Sequence, residues 1–155
     1  MGLRPSAEAG CKEAHAIDRA IRKICLKAGA SKCPNHGCVS RWCKGASRIK
    51  CGGRVCSDPN LCGKTVGGTI IVCTGRAGNP AACGGPAFDL PFVLSPSELI
   101  ALTILHEVEH TCGDKDHAPG TTRANAGSKP NPAEADARCM LCLPGTLPGY
   151  FNPGE

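Results

Sequence analysis

The sequence predicts a small, disulfide-rich α+β domain, and three observations carry that expectation. Thirteen cysteines in 155 residues lie in the range where covalent links supplement a modest core. The aromatic content is 3 Phe, 1 Trp and 1 Tyr, so the core must be built from Ile, Leu, Val and Ala. Apolar segments with helical and with strand character both occur, in the order helix, strand, helix. The length fits one domain, 1–155, with a basic Cys-rich part at 1–64 and a second part at 65–155. The cysteine count is odd, so at most six pairs form and one thiol is left over.

Residues 7–28, AEAGCKEAHAIDRAIRKICLKA, predict an amphipathic N-terminal helix. Ile17, Ala20, Ile21, Ile24 and Ala28 line one face, and Gly29 stands at the expected stop. Residues 30–64 place cysteines at 33, 38, 43, 51, 56 and 62 among Gly, Pro and Asn, the pattern of loops and short turns. TVGGTIIVCT, residues 65–74, reads as a β-strand, with Gly67 and Gly68 marking a bulge or a close backbone approach. In Ser95-Pro96-Ser97-Glu98 a cap, a proline at the first helical position and a glutamate three after the cap open a helix. It runs through LIALTILHEVEHTC to Gly113. Its apolar residues, Leu99, Ile100, Leu102, Ile104, Leu105 and Val108, point all round the axis, which predicts a buried helix.

Charge and composition narrow the function classes. Residues 1–64 carry 13 basic against 4 acidic side chains, net +9, and residues 65–155 carry 5 against 9, net −4. The basic residues are scattered and lack interleaved aromatics, so the first half reads as a solvated face rather than a nucleic-acid surface. LIALTIL spans seven residues, far short of a membrane span. Heavy cysteine usage points to a secreted or exported protein in an oxidising compartment. MGLRPSAEAG contains no apolar signal core, which fits either a mature fragment or delivery by a route needing no such signal. Cys33-x-x-His36-x-Cys38-x4-Cys43 offers a structural zinc set, although disulfides fit the spacing at least as well. CMLC at 139–142 lacks the flanking βαβ pattern of a redox motif, and GGTIIVCTG lacks the Lys-Ser/Thr of a phosphate loop.

The chemistry concentrates in LHEVEHTCGDKDH, residues 105–117. His106 and His110 lie one turn apart on one helical face, so both imidazoles reach one metal. Glu107 projects from the adjacent face, where it can take a proton from water. With 5 His and 7 Glu in the chain, chance places such a motif in roughly one chain in a hundred of this composition. A buried helix also makes unpaired polar groups costly, and a metal would satisfy them.

These residues resemble the HExxH signature of the zincin metallopeptidases, over roughly residues 65–142. The resemblance implies a Zn²⁺ cofactor on His106, His110 and a third ligand, with Glu107 as general base for hydrolysis of a peptide or protein substrate. Glu134, in NPAEADARCM on a short downstream helix, is the expected third ligand, in the gluzincin manner. Asp116 and His117 are the alternatives, the first through an aspartate version of the metzincin pattern, the second one position beyond its ordinary histidine. Met140 is the candidate for a metzincin methionine turn. Asn131-Pro132-Ala133-Glu134 also reads as a capping box, in which the carboxylate only caps its helix. His117, Arg138 and Tyr150 are candidates for oxyanion support.

Looser similarity links the CG after the motif and the acidic-Ala segment before Cys-x-x-Cys to metallopeptidase toxin domains of Rhs-type polymorphic toxins, which implies an immunity or inhibitor protein as partner. The alternative function is a disulfide-rich binding protein with a structural zinc closed by a fourth ligand such as Cys112. If His110 and Glu134 share one ion, Cys112 and Cys139 are expected to form a disulfide, with Cys142 as alternative partner.

Overall fold

The computed structural model describes residues 4–84, 94–115, 117, 120–122 and 131–143. It is α+β, and the elements run β1 (Ser6–Ala7), α1 (Ala14–Ala30), α2 (His36–Trp42), β2 (Arg48–Cys51), a 3₁₀ turn (Arg54–Ser57), β3 (Gly63–Val66), β4 (Thr69–Val72), α3 (Pro96–Thr111) and α4 (Pro132–Met140). No helix among these residues is long and apolar enough to cross a membrane.

Helix α1 buries the five residues its period selects, Ile17, Ala20, Ile21, Ile24 and Ala28. Burying an isoleucine side chain fully stabilises by about 1.5–3 kcal/mol, so this face anchors the helix against α3. The helix begins later than the periodicity predicts. Residues 6 and 7 instead pair with β2, and Asp18 accepts a hydrogen bond from the Ala7 amide. At the other end the helix passes through Gly29 to Ala30.

The segment expected as one strand with a bulge is a hairpin. Gly67 and Gly68 have φ of +56° and +82°, the conformation of a two-residue turn with both central residues left-handed. Strand β3 pairs antiparallel with β4, from Gly63↔Val72 to Val66↔Thr69. Strand β4 pairs parallel with β2, and β2 parallel with β1, so the sheet order is β1-β2-β4-β3. Among the described residues β3 is thereby an edge. Ile49, Ile70 and Val72 turn inward to the core shared with α1 and α3.

Helix α3 is opened by a complete capping box between Ser95 and Glu98, with Pro96 at its first position. As its all-round apolar pattern predicts, Leu99 to Leu105 and Val108 are buried. Gly113, with φ of +100°, turns the chain away after Cys112.

Six disulfides pair twelve of the cysteines and leave Cys142 as the free thiol. They fit an oxidising environment. The expected Cys112–Cys139 link does not form. Cys112 joins Cys38 and Cys139 joins Cys33, because the segment around α2 lies against the ends of both helices and intercepts each cysteine. Cys25–Cys43 ties the same segment to α1. These pairings consume Cys33, Cys38 and Cys43, so the structural zinc set read from their spacing does not exist, and they leave 139–142 without an internal disulfide.

Candidate metal centre

The last turn of α3 sets His106 and His110 side by side, with their Nε2 atoms 3.1 Å apart. The opposite ring nitrogen of each has a defined partner. His110 Nδ1 lies 3.1 Å from the carbonyl oxygen of Asp114. A carbonyl only accepts, so Nδ1 carries the hydrogen and Nε2 carries the lone pair. His106 Nδ1 lies 3.0 Å from Glu134 Oε1. Burial alone would raise the Glu134 pKa, yet hydrogen bonds and charge from His106 and Arg138 hold it at about 2. Ionised Glu134 thus accepts from His106 Nδ1. Burial opposes protonation of His106, but the Glu134 hydrogen bond and the Glu107 and Glu134 charges outweigh it and raise its pKa.

His117 completes the group. The left-handed turn at Gly113 carries the chain back, and the His117 ring centre comes to 5.6 Å from that of His106 and 6.0 Å from that of His110. Ligand atoms of the three imidazoles lie within 4.8 Å of one another. Two nitrogens each ~2.1 Å from a tetrahedral ion stand about 3.4 Å apart, close to the observed 3.1 Å. With these ring nitrogens turned to one point, the set fits a cation, and imidazole donors suit zinc and its transition-metal neighbours.

Glu134, expected as third ligand, is placed differently. Its Oε1 faces His106 Nδ1 and its Oε2 accepts from Arg138 Nε at 2.8 Å, so both oxygens are engaged away from the grouped ring nitrogens. Its own backbone N–H donates to Asn131 Oδ1 at 3.4 Å. The cap read from NPAE therefore exists, while the carboxylate serves His106. Asp116 and Tyr150 lie outside the described residues. Arg138 is 1% exposed and pairs with Glu134, and Met140 is buried at the end of α4.

Glu107 stands beside the imidazoles, its Oε2 3.9 Å from His106 Nε2. Thr65 on β3 fixes it: the threonine hydroxyl is 2.9 Å from Glu107 Oε1 and 3.1 Å from its carbonyl oxygen. The strand comes this close because residue 63 is glycine. A Cβ there would stand 2.9 Å from Thr103 Cγ2, 3.0 Å from the Ile71 carbonyl oxygen and 3.4 Å from Glu107 Cγ. A cleft of about 650 Å³ opens over the site, lined by Lys64, Thr65, Glu107, His110, His117 and Thr121 among others. That volume is in the range of small-ligand and peptide sites.

A second group of acids lies close by. Glu109, Asp114 and Asp136 have carboxylate oxygens within 4.8 Å of one another. Burial raises the pKa of Glu109 far above the carboxylate range; the Asn35 hydrogen bond opposes this, and the Asp114 and Asp136 charges add to it. Burial likewise raises Asp136, helped by its hydrogen bond to Asp114 and that residue's charge.

No protein-family model, curated protein or solved structure matches the chain. The functional reading therefore stands on this geometry. Sequence reasoning does not find Thr65 or Gly63, because both act across a hairpin that it reads as one strand. The Gly-Gly dipeptide between two β-rich runs is the signal that finds it.

Proposed function

We propose that the chain is a zinc-dependent endopeptidase in which His106, His110 and His117 hold the metal and Glu107 is the general base. The observation that carries this reading is the pair of imidazole Nε2 atoms facing each other at 3.1 Å. Each ring is held from behind at Nδ1, with His117 and an anchored glutamate alongside. Bound there, zinc supplies Lewis acidity, bringing the pKa of a water towards ~7 and polarising a substrate carbonyl.

The chain's own residues do the rest. Glu134 and the Asp114 carbonyl hold the two imidazoles in register, as outer partners of metal ligands commonly do. Thr65 holds one oxygen of Glu107 and leaves the other turned towards the imidazoles. Glu107 takes the proton from the attacking water as the new C–O bond forms. It returns that proton to the departing amine as the C–N bond breaks. The substrate's place is suggested by the sheet order, in which β3, whose Thr65 touches Glu107, is an edge strand among the described residues. An extended peptide would add to it strand-to-strand.

Six disulfides support a secreted or exported setting. The toxin-cargo reading, with its immunity or inhibitor protein, rests on the resemblance of the motif region alone. The rival reading, a structural zinc in a binding protein, calls for a fourth protein ligand such as Cys112. That cysteine is bonded to Cys38 and offers no thiolate.

The test pairs metal content with hydrolysis of a denatured protein and of quenched-fluorescent peptides. The wild type is expected to carry one zinc at the histidines and to cleave. Glu107→Gln should keep that zinc and lose cleavage by ~10²–10⁴-fold. Undiminished turnover in Glu107→Gln, or cleavage that survives removal of the metal, overturns the reading.

A further inference from the structure

We infer that Glu109, Asp114, Asp136 and the side-chain amide of Asn35 form a second cation site, one that takes calcium. The inference does not depend on which metal the histidines hold. Its donors are all oxygens, the set preferred by hard cations and unlike the imidazoles next to it.

Three carboxylates converge on the single amide of Asn35, whose Nδ2 lies 2.9 Å from Glu109 Oε2, 3.1 Å from Asp114 Oδ1 and 3.5 Å from Asp136 Oδ2. An amide nitrogen has two hydrogens and cannot serve three acceptors and six oxygens. The deficit falls on Glu109. This residue is 0% exposed, and its Oε1, like Oδ2 of Asp114, is shut off from solvent with no hydrogen-bond donor. A buried carboxyl oxygen left without a donor in such a place carries an uncompensated desolvation penalty, and a divalent cation among the three removes it. Turning the Asn35 amide over, which exchanges nitrogen for oxygen with no change of shape, adds a fourth oxygen ligand.

Coordination habit favours calcium over magnesium. Magnesium demands a near-ideal octahedron and usually keeps several waters, whereas calcium accepts irregular sets of protein oxygens. The present group draws its donors from three separate segments. Those segments are the residue before α2, the C-terminal end of α3 with the turn after it, and α4. A calcium ion there would clamp Asp114, whose carbonyl orients His110, and α4, whose Glu134 orients His106.

The experiment titrates calcium chloride into the zinc-loaded chain in calcium-free buffer, by calorimetry and by thermal unfolding. One calcium per chain is expected, with a dissociation constant of about 10⁻³ M or tighter, as for extracellular modules. Tm should rise by roughly 5–10 °C at calcium about a hundred times that constant. Asp136→Asn should keep its zinc and lose both the calcium heat and the Tm rise. Asn35→Asp, which adds a carboxylate, should be less stable than wild type without calcium and recover with it. No calcium heat and no Tm change in the wild type up to about 10 mM overturns the inference, whether or not either variant folds. So does Asp136→Asn binding calcium as tightly as the wild type.

Discussion

Thr65 donates its hydroxyl hydrogen to Glu107, lying 2.9 Å from the carboxylate Oε1 and 3.1 Å from the backbone carbonyl of the same residue. An edge strand and a buried helix thus meet at the group proposed to move the proton. Thr65→Val should keep zinc and fold but reduce kcat/KM by roughly ten- to a hundredfold, the worth of one hydrogen bond to a charged group. Thr65→Ser, which keeps the hydroxyl, should restore the activity. Failure of Thr65→Ser to recover more activity than Thr65→Val would reduce Thr65 to a packing residue.

Gly63 sets the distance between that strand and the helix. Gly63→Ala places a methyl 2.9 Å from Thr103 Cγ2 and 3.0 Å from the Ile71 carbonyl oxygen, inside van der Waals contact. We expect a loss of about 1–3 kcal/mol from overpacking, together with lowered activity as Glu107 is pushed aside. Thr103→Ser removes the nearer obstacle, so the double variant should recover part of the stability. A Gly63→Ala protein with unchanged Tm would show that β3 moves freely, contrary to the contact described.

The roles of His117 and Glu134 separate by titration. His117→Ala should cost most of the zinc affinity. Glu134→Gln, which keeps the shape but loses the charge behind His106, should weaken zinc by ~10–100-fold while leaving one ion per chain. Glu134→Ala should in addition lower stability by about 1–3 kcal/mol, since it removes the charged acceptor 2.8 Å from buried Arg138 Nε. If Glu134→Gln loses more zinc than His117→Ala, Glu134 is the ligand after all.

At the other end of α3 the capping box carries its own pH signature. The backbone and side-chain hydrogen bonds of Ser95 lower the Glu98 pKa below its ordinary 4.5, against a small opposing effect of burial. A carboxyl with a depressed folded pKa contributes stability that is present above about 4.5 and lost as pH falls through the folded value. Ser95→Ala should therefore cost ~1 kcal/mol at neutral pH, seen as a fall in Tm of about 2–4 °C. The gap from wild type should narrow below pH 4.5. A gap that widens in acid would contradict the capping geometry.

Local patterns were legible in the sequence, and pairings across space were not. The faces of α1 and α3, the Ser95 cap, the Gly113 stop and the joint placement of His106, Glu107 and His110 all follow from helical period and capping chemistry, which act within a few residues. Glu134 shows where that reasoning ends. Its position on α4 and its nearness to His106 were readable, but which nitrogen it faces depends on how two helices pack. The disulfides fail for the same reason. Cys112 and Cys139 were read as partners because the helices carrying them converge, whereas Cys38 on α2 takes Cys112 and Cys33, just before α2, takes Cys139. Asn35, 74 residues from Glu109 along the chain, left no local sign of its part in the acidic group.

The links from Cys33 and Cys38 to Cys139 and Cys112 also make the grouping of the three histidines answer to redox conditions. The helix bearing two of the proposed zinc ligands and the helix that orients one of them are hung separately on one strut, each by a bond that reducing conditions break. In a reducing medium that strut holds neither helix. In an oxidising one it holds both, so the outer partners of His106 and His110 stay in place only while the two bonds last.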